Sequence, residues 1–166
     1  MGRDKAFIDV GGEPLVRRVA AALDAAGAGR VFVVGGDLPR LRALGLDAVP
    51  DLYPGEGPLG GVLAAMAESD ASVLAILATD LVAADRGAII AVIEALTTHD
   101  VAVPVGGGRR HFHHAVWQRS AQAHLEVEFR AGERAIKRAV RMLTVAEVHG
   151  IAPELLADAD TPDELP

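Results

Sequence analysis

Apolar and polar positions along this chain follow two rhythms, and the changes of rhythm mark its elements. From Glu13 onward, Leu15, Val16, Val19, Leu23 and Ala26 recur at helical spacing as far as Gly27, with Pro14 suited to a first turn, so an amphipathic helix is predicted. "RVFVVGG", residues 30–36, is a short continuous apolar run closed by glycines, the pattern of a strand buried on both faces. A weaker helix over 39–44 and a brief strand over 48–50 follow. "DLYPGEGPLGG", residues 51–61, is dense in Pro and Gly and reads as a loop opening onto the helical run "VLAAMAES". "SVLAILATD", residues 72–80, stays apolar until its last two positions and predicts a strand, with a helix over 86–96 behind it. Two β-like runs flank Gly106-Gly107-Gly108 in "VAVPVGGGRRHFHHAVWQ", a hairpin or longer two-stranded excursion. Helical pieces over about 121–129 and 133–140 lead to a last short strand near 142–145.

Strands alternating with helices predict an α/β architecture: an open, mostly parallel sheet with helices on both faces. No repeat, low-complexity tract or linker interrupts the 166 residues, so one domain over 1–166 is expected, long enough to bury roughly two thirds of its unfolded surface. In such sheets ligands gather beyond the carboxyl ends of the strands, where Gly35-Gly36-Asp37, Asp51 and Asp80 all fall.

Composition narrows the function classes. About half the residues are apolar, yet there are only one Trp, one Tyr and four Phe, which suits helices packed on a sheet better than an aromatic-rich sandwich. With no cysteine, disulfides and thiolate-bound metals are excluded, and a cytoplasmic setting is the expectation. No apolar run is long enough to span a bilayer and no signal-peptide pattern opens the chain, so no membrane association is expected. A net charge of −7 argues against general nucleic-acid binding, which needs a basic face to displace counterions. One phosphorylated ligand, held by backbone N–H groups, a lysine and a divalent cation, remains compatible with it.

The candidate chemistry is carried by few residues. Asp80, ending an apolar strand at the ligand edge, could coordinate Mg²⁺ whose other positions go to phosphate oxygens and water; equally, it could cap the next turn. Gly55-Glu56-Gly57-Pro58-Leu59-Gly60 is a literal G-x-G-x-x-G with Asp80 twenty residues further on, which admits an NAD-binding oxidoreductase reading. Against that reading, "DLYP" separates the glycines from the preceding strand, and Pro58 removes an N–H from the turn that would face a pyrophosphate. "RRHFHHAV" holds three of the six histidines, but on a strand His111 and His113 share one face while His114 points the other way. With Arg109 and Arg110, they line a polar pocket or a solvated edge more readily than a zinc site. "DADTPDEL" places Asp158 and Asp160 before Thr161-Pro162, a helix-start signal in which one carboxylate caps and the other is left for a metal or a substrate hydroxyl.

In order, "MGRDKAFIDVGGEPLVRRV", "VPDLYPGEGPLGGVLAAM", "LATDL", "HHAVWQRS", "RAGERAIKRAV" and "DADTPDEL" resemble the nucleotidyltransferase family that includes molybdenum cofactor guanylyltransferase. The resemblance implies a three-layer, Rossmann-like nucleotidyltransferase fold. It also implies transfer of GMP from Mg·GTP to the phosphate of molybdopterin-bound molybdenum, with release of pyrophosphate. By position, Lys5 resembles the family's phosphate-binding lysine, with Arg3 a second catalytic cation. Asp51 resembles the acidic group that helps hold the nucleotide, Gly60 the loop packed beside it, and Asp80 the Mg²⁺ ligand. Asp158 and Asp160 fall where the family usually has N-x-N-T-P, Asp160 being a second metal candidate, and Gly36 or Asp37 stands where the family tends to have Asn. GTP, the molybdopterin cofactor and molybdenum-cofactor delivery proteins are the implied partners. Family members open with a buried strand running into a Gly-rich loop, of which only Met1-Gly2 remains here, so that strand and loop are expected to be missing from the sheet. The other readings are a CTP- or sugar-phosphate-type nucleotidyltransferase, a non-catalytic remnant of the family, and the oxidoreductase.

Overall fold

The computed structural model describes residues 4–159, so Arg3 and Asp160 lie outside the described residues. The chain begins with a 3-10 turn, Lys5–Phe7, and a two-residue hairpin, β1 (Asp9–Val10) against β2 (Glu13–Pro14). Helix α1 (Leu15–Ala25) buries Leu15, Val16, Val19 and Ala20 on one stripe, as its spacing predicts; Pro14 stands just outside it instead of in its first turn. The apolar run after α1 yields only a two-residue ladder, β3 (Val33–Val34), whose partner among the described residues, the parallel strand β4 (Ala48–Val49), is equally short. Helix α2 (Leu38–Ala43) links them, capped by Asp37, whose Oδ1 accepts the Arg40 N–H at 3.1 Å.

Helix α3 (Gly57–Glu68) starts five residues before the run that marks it in the sequence, taking in Gly57 to Gly61, which read as loop. Pro58 sits in its first turn, where a fixed φ and a missing N–H are no handicap. Gly60 has to be small, because a Cβ there would come within 3.0 Å of Tyr53 Cβ.

The main sheet comprises β5 (Val73–Leu77), β6 (Val101–Gly106), β7 (Arg109–Arg110), β8 (His114–Gln118) and β9 (Val145–Val148). Its order is β5-β8-β6-β9, with β7 paired to the far end of β6. The expectation of a mostly parallel sheet needs correcting. β8 runs against both β5 and β6, and only the β6–β9 pairing is parallel, so the sheet is mixed. The connection from β6 to β8 is a direct return through the glycine hairpin, and a short return reverses strand direction. The last strand lies at 145–148, three residues beyond the predicted position, since Thr144 is held by Asp100 through its N–H at 2.8 Å and its hydroxyl at 2.7 Å.

Alternate residues of the central strands serve opposite layers. Val101, Val103, Ala115 and Trp117 face α3, α5 (Gln122–Arg130) and α6 (Ile136–Ala139), together with Leu59, Leu63, Met66 and Leu125. Ala102, Val116 and Ala146 face α4 (Arg86–Leu96) through Val92 and Leu96. This is the three-layer α/β arrangement that the alternating pattern predicts.

The β3–β4 pair and the main sheet are not hydrogen-bonded to each other among the described residues, and a cavity of about 1210 Å³ runs between them. Its walls are strand edges, since consecutive residues, Val31 to Val34 on one side and Val73 to Asp80 on the other, line it. Antiparallel pairing explains the second wall. Ser72 and Ala78 bond to β8, so by alternation Leu74 and Ile76 do too, and the N–H groups of Val73, Ala75 and Leu77 point into the cavity. Val33 and Gly35 donate to the β4 side, which turns the Val34 N–H toward the same space.

Candidate functional site

Lys5 and Asp80 meet at the carboxyl end of the main sheet. The Lys5–Phe7 turn is capped by Asp4, whose Oδ1 accepts the Ala6 N–H at 3.2 Å, and it is anchored by burial of Ala6 beside Val16 and Leu41. That leaves the Lys5 side chain part-exposed, with Nζ 3.8 Å from Asp80 Oδ2. Asp80 lies three residues past β5, its side chain 22% exposed. The helix that follows is capped by Asp85, whose Oδ1 accepts the Ala88 N–H at 2.8 Å, so the Asp80 carboxylate is not spent on that cap.

A second strand of chain closes on Asp80 from the far end of the sequence. The Asp80 carbonyl accepts the Ala159 N–H at 2.9 Å, Leu81 pairs with Asp158, and the Val82 N–H donates to the Ala157 carbonyl at 3.1 Å. Asp158 is thereby carried to the Asp80 segment, with Oδ2 3.9 Å from His113 Nδ1. The "DADT" stretch is visible in the sequence, but its pairing with Leu81 is not.

The other predicted residues are placed differently. Asp51 follows β4 and accepts the Tyr53 N–H at 2.8 Å; it packs on Gly35 (φ +73°), where a Cβ would come within 3.1 Å of Asp51 Cβ. Asp51 thus belongs to the end of the smaller ladder, across the cavity from Asp80. Gly60 is buried in α3 against Tyr53 and Glu56, so packing accounts for its lack of a side chain, while the neighbouring Gly61 lines the cavity.

The histidines do not converge. The His111 ring bonds the Gly106 carbonyl at 3.2 Å, His113 faces Asp158, and His114 is buried on β8. Burial, reinforced by His111 and His113, pushes the His114 pKa down to about 4. Among the described residues no group of three or more His, Asp or Glu could by itself hold a metal ion, and no helix is long and apolar enough to cross a membrane.

A clamp beside the glycine-rich turn carries no signal in the sequence. Arg134 Nε donates to Glu56 Oε2 at 2.5 Å, Nη1 donates to the Phe129 and Glu133 carbonyls at 2.9 Å, and the guanidinium lies 4.1 Å over the Phe129 ring. The Arg134 carbonyl accepts the Leu59 N–H at 3.2 Å, which ties the start of α3 to the α5–α6 turn. Within that turn, Arg138 and the N–H groups of Arg134 and Ala135 all bond the Glu133 carboxylate and hold its pKa down to about 2.

The chain has relatives in sequence and in fold. A "Probable molybdenum cofactor guanylyltransferase" of Pelotomaculum thermopropionicum is 34% identical over 131 residues, covering 79% of this chain and 63% of the relative, so the chain spans just under two thirds of that protein. The "Molybdenum cofactor guanylyltransferase" of Rhodobacter capsulatus is 30% identical over 171 residues, covering 99% of this chain and 86% of the relative. In fold, the chain is similar to molybdopterin-guanine dinucleotide biosynthesis protein A from Archaeoglobus fulgidus, with a TM-score of 0.75 at 20% identity, covering 98% of this chain and 87% of that one. It is equally similar to 2-C-methyl-D-erythritol 4-phosphate cytidylyltransferase from Thermus thermophilus, with a TM-score of 0.75 at 21% identity over 96% of this chain and 89% of that one. With residues 1–148 matching the MobA-like NTP transferase domain, the chain belongs to that family of nucleotidyltransferases.

Proposed function

We propose that this chain transfers GMP from Mg·GTP to the phosphate of molybdopterin-bound molybdenum and releases pyrophosphate. The observation that carries the reading is the Lys5–Asp80 pair at the carboxyl end of the sheet, 3.8 Å apart, with Asp80 on the cavity wall. The names of the curated relatives, molybdenum cofactor guanylyltransferases, support a guanylyl donor and a molybdenum-cofactor acceptor.

Asp80 fits a Mg²⁺ site: it is a hard, part-exposed carboxylate not used as a helix cap, and it stands beside a lysine suited to phosphate. It would serve as one protein ligand, with Asp160 the second candidate, leaving the remaining positions to phosphate oxygens and water. When bound, the ion would supply positive charge that offsets the negative charge developing on the leaving pyrophosphate.

The residues have no covalent step to perform. An oxygen of the acceptor phosphate forms a bond to the α-phosphorus of GTP, the bond from that phosphorus to the bridging β-oxygen breaks, and its electron pair leaves with pyrophosphate. Lys5, with Arg3 two residues before it, would hold the β- and γ-phosphates and neutralise them as they depart. Asp51 would take a polar group of the nucleoside across the cavity, and the Gly57–Gly61 turn would pack beside it.

The test is pyrophosphate release from Mg·GTP in the presence of the molybdenum-loaded cofactor, with CTP and UTP in parallel. GTP should be the productive nucleotide, and Asp80→Asn should lower turnover by on the order of a hundredfold, the usual loss for a preorganised charged group. Near-normal turnover in that variant would overturn the metal role. Release from CTP instead of GTP would overturn the guanylyl assignment.

A further inference from the structure

Four Lys and Arg side chains line the cavity: Arg30, Arg109, Arg110 and Lys137. Two of them are neutralised. Arg30 reaches Asp47 at 2.9 Å and Glu68 at 2.8 Å, and Arg110 reaches Glu147 at 2.6 Å. The side chains of Arg109 and Lys137 make no hydrogen bond or ion pair among the described residues. Each is the odd member of a basic pair. Arg110 turns to Glu147 and leaves Arg109 at the cavity, and Arg138 turns to Glu133 and leaves Lys137 there.

Both positions are held by the surrounding structure. Arg109 pairs with Gly106 at the end of the β6–β7 hairpin, and the His111 ring braces that hairpin on the Gly106 carbonyl. Lys137 rides on α6, whose first turn is set by Glu133 through the Arg134 and Ala135 N–H groups at 2.7 and 2.8 Å, and by the Arg134–Glu56 clamp. Neither cation belongs to the Lys5–Asp80 pair. In a chain of net charge −7, two cations left unpaired among the described residues on a cavity wall, while their sequence neighbours are neutralised, mark a place for an anion.

We propose that Arg109 and Lys137 bind the phosphate of the acceptor, a phosphomonoester, in the cavity that Asp80 also lines. The proposal rests on the nucleotidyl-transfer reading for the acceptor's role, but the anion site itself does not depend on it. Arg109 provides a planar, two-pronged donor and Lys137 a point charge, so together they would hold the acceptor oxygens in line with the α-phosphorus.

The experiment has two arms on the full chain. Phenyl phosphate, a phosphomonoester without a nucleoside, is titrated calorimetrically in the presence of Mg·GTP into the wild type, Arg109→Ala/Lys137→Ala, and Arg141→Ala. Arg141 is an exposed arginine off the cavity and serves as the charge control. The double variant should bind about tenfold more weakly or worse while Arg141→Ala binds as the wild type does. In the second arm, each single variant should raise the KM for the acceptor about tenfold and leave the KM for GTP unchanged. Equal phenyl phosphate binding in wild type and double variant, no binding by the wild type, or a rise confined to the KM for GTP would each overturn the proposal. A chain that transfers no nucleotide yet loses phenyl phosphate binding in the double variant would leave the anion site standing and remove only the transfer reading. Both side chains are exposed, so folding is not at stake, and a thermal melt of each variant verifies it.

Discussion

At His114 a single buried imidazole makes the fold sensitive to acid. It pairs across from Leu77 and is enclosed by Leu77, Val92, Val116, Ile151 and Leu156, and its Nε2 has no hydrogen-bond partner among the described residues. Burial, with His111 and His113 nearby, lowers its pKa from 6.5 to about 4, so the folded state prefers the neutral ring. The stability this gives is fully present above pH 6.5 and is lost as pH falls from 6.5 toward 4, by about 3 kcal/mol at most. Urea unfolding at steps from pH 7 to 4 should show that slope in the wild type and a flatter one in His114→Leu; parallel slopes would show that the ring does not carry it. At this scale the sequence was informative about residue type and silent about surroundings. That Asp80 ends an apolar strand is legible from "LAILATD", but that Asp85, and not Asp80, caps the next helix depends on backbone directions no pattern records.

Between elements, Arg134 is the hub. One guanidinium bonds Glu56 and two carbonyls and stacks on Phe129, which itself lies 4.8 Å from the Tyr53 ring. The ion pair alone is half-exposed and worth at most about 1 kcal/mol, whereas the carbonyl bonds and the stacked ring lose their partner only when the whole side chain goes. Arg134→Ala should therefore cost about 2 kcal/mol in urea unfolding and Glu56→Gln less than half of that. Equal costs would reduce Arg134 to its ion pair. The element pattern itself was readable wherever one face had to be buried: α1, α2 and α4 fall within two residues of their predicted bounds. The reading failed where a tertiary contact overrode composition. Gly57 to Gly61 belong to a helix because Tyr53 and Glu56 close over Gly60, and 133–135 stay outside the helix because the Glu133 carboxylate gathers the Arg134 and Ala135 N–H groups.

At the scale of the whole molecule, the cavity between the two ladders dominates. The β5 edge is half paired: the Leu74 and Ile76 N–H groups face β8 while those of Val73, Ala75 and Leu77 face the cavity. Amide hydrogen exchange should alternate along β5, slow at 74 and 76 and faster by about tenfold or more at 75 and 77, an order of magnitude per about 1.4 kcal/mol of protection. Uniform protection would mean that the edge is paired in solution.

Hydrophobic periodicity, punctuated by Gly and Pro, determined by itself that this chain builds layered α/β structure, and the order of its motifs determined the family, because both are properties of neighbours along the chain. Only the tertiary structure decided that the sheet is mixed, that Asp158 is drawn to the Leu81 edge, that Lys5 meets Asp80, and that Arg109 and Lys137 are the cavity cations left without a partner among the described residues. Each of those depends on which distant groups come within a few ångströms, and pairing and charge neutralisation at that range are set by packing, on which a local pattern carries no record.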